Sequence, residues 1–269
     1  MQPKPTKVTI GLPVFNGEKY IEQAIRSVLS QTFTDFELKI SDNASSDKTE
    51  KICRQYAAID SRITYLRQEK NLGALHNFQS VLENVDSDYF MWLADDDKIM
   101  PNFLNQAVAT LDEDDGCGLV FCDYLIRNLE TNEETTAHVC ASNSKHAFIR
   151  CLIRLLDICP SMIYGLFRLS SIKEINLENF DFADVHFVMQ VAIKYRIKTL
   201  CKPGYIAGVK GVRIPYSLTG KKISRSTFIK KEVSLFLSNL SLVYAVFLSF
   251  LAMLMMVKSR LELREGQKK

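Results

Sequence analysis

The sequence predicts an α/β fold: a doubly wound, mostly parallel sheet with an apolar helix at the C-terminal end. Three observations lead there. Short apolar runs alternate with helix-spaced apolar residues from Val8 to Cys122, the alternation that builds parallel sheets. Most of the runs end in turn-rich or acidic connections. The stretch from Val233 to Val257 carries no charged side chain.

The elements follow in order. Val8–Leu12 is a first strand, closed by Pro13. A helix follows with Tyr20, Ile21, Ala24, Ile25, Val28 and Leu29 on one face. Phe36–Ile40 is the second strand, and Ser46 or Asp47 can cap the next helix, whose apolar face is Ile52, Tyr56 and Ile59. Ile63–Leu66 is a third strand. Asn71-Leu72-Gly73 marks a turn before a helix carrying Phe78, Val81, Leu82 and Val85. The run ending at Trp92-Leu93 is a central strand, too short for a helix. Pro101 opens a helix with Phe103, Leu104, Ala107, Val108 and Leu111 inward, and Gly118–Cys122 is a further strand. Residues 127–146 are polar and predict a loop or an edge hairpin. Residues 147–157 and 184–195 predict helices, Arg196–Val209 an extended segment, and 210–232 a basic, turn-rich stretch.

Composition narrows the function. The 269 residues are 47% hydrophobic, enough to bury a core, and the net charge of +3 gives no argument for nucleic acid as a partner. The seven cysteines include no C-x-x-C pair, and no secretory signal opens the chain, so reduced thiols in a cytosolic compartment are expected. His76, His138, His146 and His186 show no metal-ligand spacing.

The chemistry gathers at Trp92-Leu93-Ala94-Asp95-Asp96-Asp97-Lys98. Three carboxylates at the carboxyl end of a buried strand suit a divalent cation together with a diphosphate. A solvated acidic turn before a helix would use the same residues.

Four motifs fall in order: Pro13-Val14-Phe15-Asn16-Gly17-Glu18, Ser41-Asp42-Asn43-Ala44-Ser45-Ser46-Asp47-Lys48-Thr49, Asn71-Leu72-Gly73, and Ala94-Asp95-Asp96-Asp97. Over roughly residues 5–200 the chain thereby resembles family 2 glycosyltransferases of the GT-A fold. The resemblance implies inverting transfer of a sugar from a nucleotide-sugar donor, usually a UDP-sugar, with Mn²⁺ or Mg²⁺. It makes Asp97 the direct metal ligand. Asp95 completes the D-x-D pattern beside it, and Asp96 holds ribose or sugar hydroxyls. Many relatives carry an acid where this chain has Ala94, so the roles of Asp95 and Asp96 are open to exchange.

On the same resemblance Asp42 accepts a hydrogen bond from the uracil ring. Its alternative is a turn or helix-start residue. Phe15 lies where an aromatic meets the base, or is a core residue. Pro13 shapes the loop and touches the nucleotide through backbone, and Asn71 and Gly73 line the donor pocket or serve only as a turn. Phe180-Asp181-Phe182-Ala183-Asp184 resembles the segment that supplies the base for the acceptor hydroxyl. Asp184 matches the second acid of the usual pair, Ala183 replaces the first, and Asp181 is the fallback; a helix cap is the other use of Asp184. His186 is expected to pack or to face the acceptor. Lys221, Lys222 and Arg225 suit either a loop closing over the diphosphate or a membrane-facing patch.

The expected organisation is a catalytic domain over 1–210, divided into a nucleotide-sugar half (1–125) and an acceptor half (126–210). A basic linker (211–232), an apolar helix (233–257) and a basic tail (258–269) follow. As one helix the apolar run would measure ~37 Å, against ~30 Å of hydrocarbon. It is expected to span a membrane or to lie on one, with the catalytic domain on the cytosolic side and a saccharide or lipid-linked acceptor. Two other readings use the same residues: a nucleotidyltransferase, and a non-catalytic relative acting as a membrane scaffold, which the departures at Ala94 and Ala183 keep open.

Overall fold

A computed structural model describes residues 6–179, 182–209, 225–242 and 244–251. Four parallel strands form one side of the sheet: β1 (Val8–Val14), β2 (Phe36–Asp42), β3 (Ile63–Arg67) and β4 (Tyr89–Trp92). Helices α1 (Ile21–Leu29), α2 (Thr49–Ile59) and α3 (Ala74–Ser80) connect them. Ile21, Ala24, Ile25 and Val28 of α1 are all buried, as helical spacing requires of a helix lying on a sheet. The third helix stops at Ser80, earlier than its apolar spacing suggested. The chain then passes through a turn in which Asn84 is left-handed, with φ 55°.

β1 continues through Pro13 instead of ending there. Gly11 accepts a hydrogen bond from Leu93 on the β4 side (2.9 Å), and Val14 accepts one from Asn43 on the β2 side (2.9 Å). Alternation turns Pro13 toward the β4 side, where pairing has already ended at Gly11 and Trp92. Its missing N–H therefore removes no ladder bond.

Beyond β4 come β5 (Lys98–Ile99), α4 (Phe103–Asp112), β6 (Cys117–Asn128), β7 (Glu134–Ala137) and α5 (Ala147–Leu156). They are followed by β8 (Leu166–Arg168), α6 (Leu169–Ile172), α7 (Ala183–Lys194), β9 (Arg196–Val209) and α8 (Arg225–Asn239). The strand order is β3-β2-β1-β4-β8-β6-β9-β5, with β7 paired to β6 as the edge hairpin. β8 is antiparallel to both β4 and β6. At three residues it is too short to show a period in sequence. β6 and β9 run parallel, so a single sheet passes through both expected halves of the catalytic domain.

Trp92, at the carboxyl end of β4, is fully buried among aromatic rings. Its ring meets Phe90, Phe167 and Phe187 edge-on at 4.7, 5.9 and 5.5 Å, the arrangement aromatic quadrupoles favour. Its indole N–H donates to the Phe78 carbonyl (2.9 Å). Phe187 belongs to α7, so these contacts pin α7 to the strand end from which the three acids leave.

The C-terminal segment departs from expectation. α8 begins at Arg225, inside the stretch read as a linker, and ends at Asn239. The helix is interrupted at Leu240–Ser241 and helical structure returns over residues 244–251. Among the described residues no helix is long and apolar enough to cross a membrane. Phe236, Ala245 and Leu248 instead join Cys151, Leu155, Met189 and Ile193 in a second core cluster against α5 and α7. Residues 211–224, 252–257 and the basic tail lie outside the described residues.

Candidate functional site

The first two sequence motifs interlock. Asn16 and Gly17, in the β1–α1 loop, donate backbone N–H groups to Ser45 Oγ and Thr49 Oγ1, both at 2.9 Å. The Glu18 amide donates to Asp47 Oδ2 (3.0 Å). In return Asn16 Oδ1 accepts from the Ser46 amide (2.8 Å) and Glu18 Oε2 from the Lys48 amide (3.0 Å). Asn16 and Ala44 adopt left-handed backbone, with φ 54° and 61°. Two loops from neighbouring parallel strands thus form one rim at the carboxyl edge of the sheet, where open α/β sheets bind ligands.

The acid loop meets this rim. A Cβ on Gly17 would lie 2.4 Å from Asp95 Oδ2. Glycine is therefore required for the Asp95 carboxylate to sit against the β1–α1 loop. Asp95 and Asp96 are half-buried. Asp97 is different: it is buried, its Oδ1 accepts the Gly208 amide at 2.7 Å, and its Oδ2 accepts the Tyr205 hydroxyl. Burial, then the nearby Asp96 charge, pushes the Asp97 carboxyl well above the usual carboxylate range. Its oxygens tie the acid loop to β9, and the carboxylates left at the rim are Asp95 and Asp96.

Asp42 is held in a similar way. It is fully buried. Oδ1 accepts the Ser45 amide (2.8 Å), closing the turn after β2; Oδ2 accepts the Tyr65 hydroxyl (2.7 Å) and the Arg67 guanidinium (3.1 Å). Both oxygens are thus engaged below the surface, where Asp42 shapes the loop after β2. Burial first, and Asp42 second, hold the Tyr65 hydroxyl well above its ordinary pKa. Phe15, by contrast, is 47% exposed on the rim.

Asn71 and Gly73 form the expected turn. Asn71 Oδ1 accepts the Gly73 amide (2.8 Å), and Gly73 has φ 90°, which favours glycine. Asn43 ties this turn to β2: its Nδ2 donates to Asn71 Oδ1 (2.9 Å) and its Oδ1 accepts the Leu72 amide (2.9 Å). The buried Asn77 of α3 donates to the Val14 and Ser41 carbonyls at 3.2 and 3.0 Å, joining the ends of β1 and β2.

Asp184 stands in the first turn of α7, entered through the left-handed Phe182 (φ 67°). Its Oδ1 accepts the Val185 amide (2.8 Å). Burial pushes its carboxyl up to about 6, close to the value a general base needs near neutral pH. Arg150 of α5 fixes the other end of this helix by donating to the Ala192 and Ile193 carbonyls (2.6 and 2.7 Å). His186 packs inward, its Nδ1 2.7 Å from Glu232 Oε1 of α8. Asp181, Lys221 and Lys222 lie outside the described residues, as does the side chain of Arg225.

Among the described residues no group of three His, Cys, Asp or Glu side chains is placed to hold a metal by itself. Asp95 and Asp96 are hard oxygen donors at a strand end. They fit a cation that takes one or two protein carboxylates and completes its shell with substrate phosphate and water.

Several residues of the site escaped sequence reasoning. Tyr205 and Gly208 reach the acid loop from β9, more than a hundred positions away. The one available signal was Gly208 inside an extended run, since such a glycine marks close backbone approach. A Cβ there would lie 2.4 Å from the Asp96 carbonyl oxygen. Asn43 lies in the second motif but carried no assigned role of its own, and Asn77 carried no recognisable pattern.

The chain belongs to glycosyl transferase family 2, whose family model matches residues 9–175. An uncharacterised glycosyltransferase of Rickettsia typhi is 28% identical over 159 residues, 59% of this chain and 48% of its own length. A GalNAc(5)-diNAcBac-PP-undecaprenol β-1,3-glucosyltransferase of Campylobacter jejuni is 31% identical over 121 residues, 45% of this chain and 38% of that protein. The chain thus spans about half the length, or less, of these curated relatives. Among solved structures, residues 1–349 of S. aureus TarS in complex with UDP-GlcNAc superpose with a TM-score of 0.68 at 20% identity. That match covers 88% of this chain and 68% of the other. The likeness establishes the GT-A fold, and family membership displaces the nucleotidyltransferase reading.

Proposed function

We propose that the protein is an inverting glycosyltransferase that moves a sugar from a nucleoside-diphosphate donor, a UDP-sugar, to a saccharide or lipid-linked acceptor in glycan synthesis. The observation that carries this reading is the convergence of the interlocked loops with the half-buried Asp95 and Asp96, beside the strand end to which α7 is pinned. The UDP-GlcNAc held by the TarS structure and the undecaprenol-linked substrate named for the Campylobacter relative support the choice of donor and acceptor.

Phe15 offers an exposed ring to the base, and the turn at Asn71 and Gly73 borders the donor. Asp95 and Asp96 would hold Mn²⁺ or Mg²⁺ against the diphosphate. A cation bound there neutralises charge on the leaving group. Asp184 takes the proton of the acceptor hydroxyl as that oxygen attacks the anomeric carbon. The bond from the anomeric carbon to the diphosphate breaks, and the nucleoside diphosphate leaves with the electron pair. Attack opposite the leaving group inverts the anomeric centre. Residues 233–257 seat the enzyme on the cytosolic face of a membrane.

A panel of nucleotide sugars, each with Mn²⁺ and with chelator, tests the proposal by thermal shift and product release. A UDP-sugar should raise the melting temperature only with the cation and should be turned over when acceptor is present. Cation-dependent binding without turnover over a broad acceptor panel would return the scaffold reading.

A further inference from the structure

We propose that the outer face of α5 and the helical segment over residues 244–251 form one surface that lies in the plane of a bilayer bearing anionic headgroups. The inference deepens the membrane seat proposed above and rests on it. It assigns part of the membrane contact to the catalytic core and has the C-terminal segment lie along the bilayer instead of crossing it.

The two elements are joined by their aromatic rings. Phe148 of α5 stacks on Tyr244 at 4.5 Å and lies 5.8 Å from Phe247. The inward faces are committed to the protein: Ala245 and Leu248 pack with Cys151, Leu155 and Met189. The outward faces remain apolar and open, with Ile149 at 40%, Val246 at 56%, Phe247 at 50% and Phe250 at 54% exposure. Large aromatic and branched side chains grouped in this way mark an interaction surface.

Geometry and charge select the occupant. The interruption at Leu240–Ser241 divides the expected helix, and among the described residues neither piece is long enough to span. The sequence on either side is basic, from Lys221 to Lys231 and from Lys258 to Lys269. Lys230 is exposed at the start of this region, whereas Glu232 turns inward to His186. Apolar residues bordered by Lys and Arg suit the interface of an anionic membrane. A second copy of the chain would bring the same basic residues to a self-complementary contact, where they repel. The surface also shares its core cluster with α7, the helix of Asp184. A seat there places the acceptor-side base beside the bilayer, where a lipid-linked acceptor resides.

Vesicle flotation with the full chain tests the surface. The vesicles are phosphatidylcholine alone, or equal parts of phosphatidylcholine and phosphatidylglycerol. Wild type should float with the anionic vesicles, and less so as salt is raised. The triple variant Ile149→Ser, Phe247→Ser, Phe250→Ser changes exposed side chains only. It should float about tenfold less while its melting temperature and its donor binding stay at wild-type values. A wild type that binds neither vesicle overturns both the membrane seat and this surface. If wild type floats and the folded triple variant floats equally well, the surface is wrong while the seat stands. Wild-type dimers that dissociate in the variant, with no flotation of either, would assign the face to a second copy.

Discussion

The backbone amide of Gly208 donates to Asp97 Oδ1 at 2.7 Å, and the two residues are 111 positions apart. With the Tyr205 hydroxyl on Oδ2, this bond holds the acid loop after β4 to the far strand β9. It separates the three consecutive aspartates into one engaged within the protein and two half-buried at the rim.

Removing Asp97 should therefore be a stability defect. Asp97→Ala leaves the buried Tyr205 hydroxyl and the Gly208 amide without their acceptor, a loss of about 1–3 kcal/mol. Chemical denaturation gives the value. An Asp97→Ala protein of wild-type stability that has lost only its cation dependence would restore Asp97 as the direct ligand.

Asp95→Asn and Asp96→Asn should have the opposite signature. Each should lower cation-dependent binding of UDP strongly, by calorimetry with Mn²⁺, while the melting temperature without ligand stays near wild type. Gly17→Ala should weaken the same binding, because a methyl group there collides with the Asp95 carboxylate. Full cation-dependent binding in both acid variants would remove the proposed cation site from this loop.

Asp42→Ala should destabilise the β2–α2 loop and weaken all nucleoside diphosphates alike. Each of the lost bonds to Ser45, Tyr65 and Arg67 is worth roughly 1.5–3 kcal/mol, the range for a hydrogen bond to a charged group. Affinities for UDP, GDP and ADP measured side by side decide the point. A loss confined to UDP would bring Asp42 back as a reader of uracil.

Asp184→Asn should leave donor binding intact and lower turnover by about 10²-fold or more. Burial pushes the Asp184 carboxyl up to about 6, and a base works only when deprotonated. The wild-type rate should therefore rise with pH through about 6 and level off above it, and the residual rate of the variant should lack that limb. Stability carries the reverse sign. The folded acid binds its proton more tightly than the unfolded one, at about 3.9, so this residue's contribution declines as pH rises from about 4 through 6. An unchanged pH–rate profile in Asp184→Asn would place the base elsewhere.

Local chemistry determined much of this protein. The apolar runs at Val8, Phe36, Ile63 and Tyr89 became β1 to β4, and the face of α1 is buried as its spacing required. These signals are legible because burial of one face repeats with the period of the backbone itself. The turn after β2 was also legible, since Asp47 accepts the Thr49 amide two positions on, whereas the interlock of Asn16 with Ser45 and of Gly17 with Thr49 joins residues 29 and 32 positions apart. Tertiary structure decided the rest. That Asp42 and Asp97 are buried depends on Tyr65, Arg67, Tyr205 and Gly208, partners set by strand order and not by spacing. The antiparallel β8 is too short for a period to show. The uncharged run after Glu232 was long enough to span a bilayer as a single helix. Over the described residues, the helix is interrupted at Leu240–Ser241 and Phe236, Ala245 and Leu248 pack on the apolar surfaces of α5 and α7, burying area that composition alone cannot assign.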